Sequence, residues 1–120
     1  NVAPQPIENL IRESKFITDA VVLGDGMDYC VALILPNKEN IRAELGLGES
    51  ENLAENAAVR DLLKKEIDKT NKQVANFEMV KKWGLIDDTF TIENGLLTPT
   101  LKVKRKVVKE KYADLINSLR

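Results

Sequence analysis

The stretch "AVVLGDGMDYCVALILPN", residues 20 to 37, constrains the fold more than any other. Two apolar segments rich in β-branched residues flank Gly24-Asp25-Gly26-Met27-Asp28. That order spells a strand, a Gly/Asp turn and a second strand ended by Pro36. Neither segment alternates polar with apolar side chains, as a strand with one wet face would. Both faces of the resulting sheet therefore need cover, and helices are the expected cover. At 120 residues the chain suits one domain with one modest core.

Helical spacing appears on either side of this pair. "PIENLIRESK", residues 6 to 15, puts Ile7, Leu10 and Ile11 on one face behind a proline suited to a first helical position. Glu8 is read there as a carboxylate near a helix start, where the macrodipole favours it. Asn37 is a plausible cap for a helix carrying Ile41 and Leu45 and stopped by Gly46. Residues 55 to 75 form the strongest helical pattern, with Val59, Leu62, Leu63, Ile67 and Val74 on one face. Asp61/Lys65 and Asp68/Lys72 are expected as i,i+4 pairs. A third strand is expected around Trp83 to Ile86, followed by a short extended piece ending at Asn94-Gly95. A last helix carries Val107, Val108, Tyr112, Leu115, Ile116 and Leu119. The order αββααββα, with a small mixed or antiparallel sheet packed by helices, argues the α+β class.

Absences narrow the chemistry. The chain has no histidine and one cysteine, Cys30, so it offers neither a His-based catalytic pair nor a structural zinc site. No metal ligands are expected. Cys30 lies in an apolar run and reads as a small buried hydrophobe. Neither of the common glycine-rich phosphate loops, GxGxxG or GxxxxGK[ST], occurs. Gly24-Asp25-Gly26 joins two strands and has no helix N-terminus to aim at an anion, so it reads as a hairpin turn. Phe77 and Trp83 are expected in the core. No apolar run is long enough to cross a bilayer, and a cytoplasmic setting is expected, with attachment to the inner face of a membrane as the variant.

Charge is unevenly spread. Residues 101 to 120 hold seven basic and two acidic side chains, a net +5, while the remainder carries −6. Six of those cations fall between Lys102 and Lys111. They are either the solvated face of a terminal helix or an anion-facing patch. An anion-binding or interaction module, holding nucleic acid or a lipid surface, is the alternative class. Nucleic-acid binding is not expected, because Tyr112 is the only aromatic residue in this segment.

Four stretches carry a resemblance to a known family: "NVAPQPIENLI", "AVVLGDG…VALILP", "FEMVKKWGLIDDTFTIENG" and "LTPTLKVKRKVVKEKY". Together, and in this order, they resemble the C-terminal domain of AMP-forming acyl-CoA synthetases, most of all the long-chain fatty-acid–CoA ligase branch of the adenylate-forming superfamily. The resemblance covers nearly all of residues 1 to 120. It implies the small mobile lid domain of an enzyme whose larger N-terminal domain binds ATP and a carboxylic acid, and that domain is absent from this chain. ATP, CoA and Mg2+ would serve the whole enzyme, none of them expected tightly bound to this domain alone, with fatty acid, ATP and CoA as substrates and the N-terminal domain as partner.

The resemblance also assigns residues. The family's late motif sets a lysine after a Thr-x-Ser/Thr-Gly segment and before an aliphatic-x-Arg segment. "TPTLKVKR" occupies that pattern, which implies that Lys102 is the catalytic lysine of adenylation and sets Arg105 at the motif's arginine, to contact CoA or the partner domain or simply to bind water. Leu101 stands where many relatives have glycine. Lys104, Lys106 and Lys109 are read as a solvated helix face. The loops near Gly24 to Met27 and Thr98 to Lys102 are expected to share the face that closes on the larger domain. A further class, an interaction domain whose chemistry has been lost, is disfavoured by the retention of Lys102.

Overall fold

A computed structural model of the chain describes residues 2–120. Helix α1, Pro4–Ile11, leads into β1, Ile17–Leu23, and β2, Cys30–Pro36. Helices α2, Lys38–Leu45, and α3, Ala57–Asn71, then carry the chain to β3, Val80–Leu85. After an irregular segment come α4, Arg105–Lys111, and α5, Ala113–Ser118. The sheet is mixed: β1 pairs antiparallel with β2, and β2 pairs parallel with β3. The α+β expectation holds.

The continuous apolar strands do bury both faces. All seven residues of β2 are buried. Ala20, Val22, Ala32 and Ile34 point to one side, where Ile7, Ile11, Ile41, Val59, Leu63 and Ile67 from the first three helices meet them. Val21, Leu23, Val31, Leu33 and Leu35 point to the other, against Phe90, Leu96, Val108 and Ile116. The period-two alternation is therefore present, but it distributes apolar residues between two cores rather than separating core from water. The single core expected from length becomes two layers divided by the sheet.

Local chemistry sets the ends of the elements. The Asn37 side chain accepts from the Asn40 amide, and Gly46 ends α2 at φ +67°, a left-handed C-cap. Asn56 caps α3 by accepting from the amides of Ala58 and Val59. The pairs expected on α3 are replaced by Lys64–Asp68 and Glu66–Lys69. The extended piece before Gly95 does not become a fourth strand. The Ile86 amide still donates to Ile34, but Asp87 and Asp88 then leave the sheet to pair with Lys38 and Lys111. Two successive carboxylates have no place on a sheet buried on both faces. The terminal helix breaks at Tyr112, whose hydroxyl donates to Asp88. Among the described residues, no helix is long and apolar enough to cross a membrane.

The α1–β1 connection is tied to α3 by Glu66. Ser14 Oγ donates to Glu66 Oε1 at 2.6 Å, and Lys69 Nζ lies 2.8 Å from Oε2. Desolvation alone would raise the Glu66 pKa, but the bonds from Lys69 and Ser14 outweigh it and hold the carboxyl below its ordinary value. A carboxylate depressed by folding stabilises the fold above its unfolded pKa and ceases to do so as pH falls through the folded one. Glu66→Gln should therefore melt below the parent at about pH 7, with the difference closing between about pH 5 and pH 3. Thermal unfolding followed by circular dichroism across that range checks this, and a difference that persists undiminished at the acid end would contradict it.

Candidate functional site

Strand β1 is an edge strand, so alternate backbone groups face away from β2. Two carboxylate–guanidinium pairs satisfy them. At Val22, the amide donates to Glu8 Oε2 at 2.8 Å and the carbonyl accepts from Arg105 Nη1 at 3.2 Å. Arg105 also grips Glu8 with two parallel bonds of 2.7 and 2.8 Å. At Ala20, the amide donates to Asp19 Oδ1 at 2.8 Å and Arg12 Nη1 approaches the carbonyl at 3.5 Å. Arg12 and Asp19 pair with each other at 3.0 Å.

Glu8 is 2% exposed and sits in the second turn of α1. The expectation that it serves the helix macrodipole is corrected: the helix starts at Pro4, two residues earlier than expected, so Glu8 turns inward beside Ile7 and Ile11. Its two bonds to Arg105 hold the guanidinium pKa above the ordinary arginine value. Deleting Arg105 would strand the buried Glu8 carboxylate, a loss of up to about 3–5 kcal/mol, whereas Arg105, 32% exposed, would lose less if Glu8 were removed. The sequence signal that could have exposed Glu8 is a carboxylate set on the apolar stripe of a short helix.

Arg105 opens α4, and the chain immediately before it forms a small hairpin. Leu97 and Val103 are bridged antiparallel. The Thr98 amide donates to the Lys102 carbonyl at 2.7 Å, and the Leu101 amide donates to the Thr98 carbonyl at 2.8 Å. Pro99 follows the first residue of that turn, where its fixed φ fits. Thr98 Oγ1 accepts from the Lys102 amide at 3.1 Å and lies 3.0 Å from Thr100 Oγ1. Leu101 closes the turn at φ +65°, the only non-glycine residue with positive φ among those described. A turn followed by one left-handed residue is a standard three-residue hairpin loop, and glycine is its usual occupant.

Lys102 is exposed beside this turn, and no carboxylate pairs with it among the described residues. It borders a cleft of about 350 Å³ with Gln5, Glu8, Arg12, Asp19, Leu101 and Arg105. Within that cleft the two arginines are neutralised by the two carboxylates, so Lys102 supplies the uncompensated charge. The arrangement can offer a point cation to an anion at the cleft mouth without first breaking an ion pair.

Arg105 also lines a smaller cleft with Gly24, Asp25 and Lys109. The hairpin turn and the lysine loop thus border the same guanidinium. The turn itself is as expected, with the Met27 amide donating to Gly24 and Gly26 at φ +69°. Cys30 is buried, and desolvation, helped by Glu78, pushes its thiol pKa up. Trp83 is half-buried, with Arg60 stacked 5.0 Å from its ring. Phe77 is not in the core: it is 64% exposed on a short 3-10 turn, Asn76–Glu78, beside a groove of about 740 Å³ along Gly24 to Cys30. Glu78 accepts from the Ala75 amide and fixes that turn, which leaves Phe77 facing out. Lys104, Lys106 and Lys109 are exposed, as expected of a solvated face.

The family model described as "AMP-binding enzyme C-terminal domain" matches residues 1–120. The chain belongs to this family. Long-chain-fatty-acid–CoA ligase FadD15 of Mycobacterium tuberculosis is 38% identical over 99% of the chain, which covers 21% of that protein. Mouse long-chain-fatty-acid–CoA ligase 5 is 32% identical over 98% of the chain and 18% of its own length. The chain therefore spans about a fifth of these curated relatives. Among solved structures, the adenylation domain of a carboxylic acid reductase from Segniliparus rugosus, in complex with AMP and a co-purified carboxylic acid, superposes with a TM-score of 0.76. That similarity runs at 27% identity over 98% of this chain and 18% of that one.

In this AMP-binding enzyme C-terminal domain, Leu101 keeps the left-handed turn that glycine would adopt without strain. Its side chain is 67% exposed, so it contributes little burial in return. The left-handed conformation costs a non-glycine residue about 1–2 kcal/mol, offset by roughly 0.5–1 kcal/mol of extra unfolded-chain entropy for glycine. Leu101→Gly should accordingly stabilise the chain by about 0.5–1 kcal/mol. Urea denaturation measures this, and a clear loss of stability would show that the leucine makes contacts that outweigh its backbone strain.

Proposed function

We propose that this chain is the mobile C-terminal domain of a long-chain fatty-acid–CoA ligase, in which Lys102 assists acyl adenylation. The observation that carries the proposal is the unpaired ammonium of Lys102, held on an internally bonded hairpin at the mouth of a cleft whose other charges cancel. Family membership and the ligase names of the curated relatives support the reaction class.

In the first half-reaction a fatty-acid carboxylate oxygen attacks the α-phosphorus of ATP. A carbon-bound oxygen–phosphorus bond forms, the bond to the β-phosphate oxygen breaks, and pyrophosphate leaves. Two anions meet, and negative charge grows on the equatorial oxygens of the transferring phosphoryl group. A positioned cation stabilises that growth more than it stabilises the reactants. In the second half-reaction the CoA thiolate attacks the acyl carbonyl and AMP leaves. A lysine carried by a mobile domain is free to be withdrawn between the two steps.

Arg105 is better used inside the domain than on CoA, because Glu8 and Val22 already engage its guanidinium. A magnesium ion accompanying ATP does not fit the residues here. The cleft's carboxylates, Glu8 and Asp19, are committed to Arg105 and Arg12, and no metal-ligating cluster of three or more occurs among the described residues. The nucleic-acid form of the anion-binding alternative gains nothing from the geometry, since Tyr112 is tied to Asp88 and offers no stacking platform.

On this reading the 120-residue chain alone forms no acyl-AMP, and fatty-acid-driven ATP–pyrophosphate exchange by it above a Lys102→Ala control would overturn the proposal. In the complete ligase, Lys102→Ala should cost roughly 10²–10³ in the adenylation rate, about 2.7–4 kcal/mol, by analogy with losing one charge-stabilising donor. Thioester formation from preformed acyl-AMP should survive, and Lys104→Ala should do little to either half-reaction. Rapid-quench assays of the separate half-reactions decide the matter. Equal mild losses in the two variants would return Lys102 to the solvated charges.

A further inference from the structure

We propose that Glu8, ninety-four residues upstream in the sequence, is a positioning residue for Lys102. The inference rests on the adenylation role assigned to Lys102 and extends it to the groups that aim the lysine. Three observations carry it. Glu8 is buried and joins three separate segments: its own helix α1, the edge of β1 through the Val22 amide, and the start of α4 through Arg105. The Glu8–Arg105 contact uses both carboxylate oxygens, so it fixes orientation as well as distance. The lysine hairpin enters α4 within three residues of Arg105, and its other anchor is backbone: the Lys104 amide donates to the Leu96 carbonyl at 2.8 Å.

The consequence is mechanical. Lys102 has no side-chain partner to hold it, so its place is set by the backbone of its loop. That loop is fixed at its base by Arg105, and Arg105 is fixed by Glu8. Burying an acidic side chain in so small a domain is unfavourable unless it is paired. An apolar residue at this position would fill the same stripe beside Ile7 and Ile11 but could not orient Arg105.

The distinguishing variant is Glu8→Gln. An amide can keep one oxygen for the Val22 amide and Arg105 Nη1, but its NH2 then meets Arg105 Nη2, donor against donor. One arm of the grip is lost at nearly unchanged volume. Arg105→Lys removes the paired geometry from the other side while keeping the cation, and serves where Glu8→Gln does not fold. The first measurement is amide hydrogen exchange by NMR on the 120-residue chain. Thr98, Leu101 and Lys102, whose amides are bonded within the loop, should lose protection selectively, while Leu63 and Ile67 in α3 keep theirs. Loss of protection in α3 to the same degree, or no loss in the loop, would overturn the proposal.

The second measurement is kinetic and uses the complete ligase. Glu8→Gln should lower kcat for adenylation by up to about 10²-fold, the scale of a misplaced group, with the KM for ATP and the thioester half-reaction little changed. In a Lys102→Ala background it should add nothing, because the group it positions is gone. Full additivity of the two substitutions would reduce Glu8 to a structural residue. The two ideas fail separately. Selective loosening of the loop together with a harmless Lys102→Ala would sink the adenylation role and leave Glu8 as the loop's anchor.

Discussion

A sheet without a wet face governs this domain. β2 has no exposed residue, and its neighbours share that condition over most of their length. Neither core could be left open without exposing a row of aliphatic side chains, so the chain must supply two covers. α1, α2 and α3 form the first. The second comes from the irregular segment around Phe90 and Leu96 together with α4 and α5. The basic C-terminal segment is therefore a structural layer: Val108 and Ile116 are buried, while the lysines around them point outward. The lysine loop is anchored by that necessity, because Leu97 and Val103 at its ends pack against the second core.

The same constraint leaves one weakness, the outer edge of β1. Unpaired strand edges invite pairing with another chain. Here the edge is closed by side chains, not by a fourth strand. Glu8 with Arg105 and Asp19 with Arg12 occupy the outward backbone groups of Val22 and Ala20. Each carboxylate accepts a hydrogen bond from an amide, and each guanidinium meets a carbonyl. Closing the edge in this way also builds the floor of the cleft at whose mouth Lys102 stands. The same four residues close the edge and line the cleft.

The strand pair and α3 were legible in the sequence because their apolar patterns are long and the strands are bounded by clear turn residues, Gly24 to Asp28 and Pro36. Sequence singled out Lys102 only through a pattern resembling a family, since Lys102 looks locally like the cations that follow it. What sequence could not give was pairing at a distance. Glu8 and Arg105 are 97 residues apart, and nothing local distinguishes Glu8 from Glu13 except its place beside Ile7 and Ile11. The extended piece after β3 misled for a related reason. Its Phe90 and Leu96 are buried as strand residues would be, but Asp87 and Asp88 find cations instead of a sheet partner. Phe77 misled in the opposite direction, because a capped turn can hold an aromatic ring in water when its backbone leaves no inward course.

Leu101 shows how the two levels meet. The family resemblance raises the question of whether a leucine in place of glycine redirects the loop, and composition cannot answer it. In the structure the residue accepts a left-handed backbone, because the bonds on either side leave no alternative: its own amide is committed to Thr98, and the next carbonyl is committed to the Thr98 amide. Those bonds, with the Thr98 hydroxyl on the Lys102 amide, determine the loop more strongly than the side chain at its apex does. The backbone beneath Lys102 is held by these bonds, while its exposed side chain is free to swing. On the proposed role, that hold would suit a cation required at one stage of a reaction and unwanted at the next, since a rigid-body displacement of the domain would remove it without local unfolding. Lys106 and Lys109 stand on α4 and Lys104 at its N-cap, and none of the three lines the cleft that Glu8, Asp19 and the two arginines define.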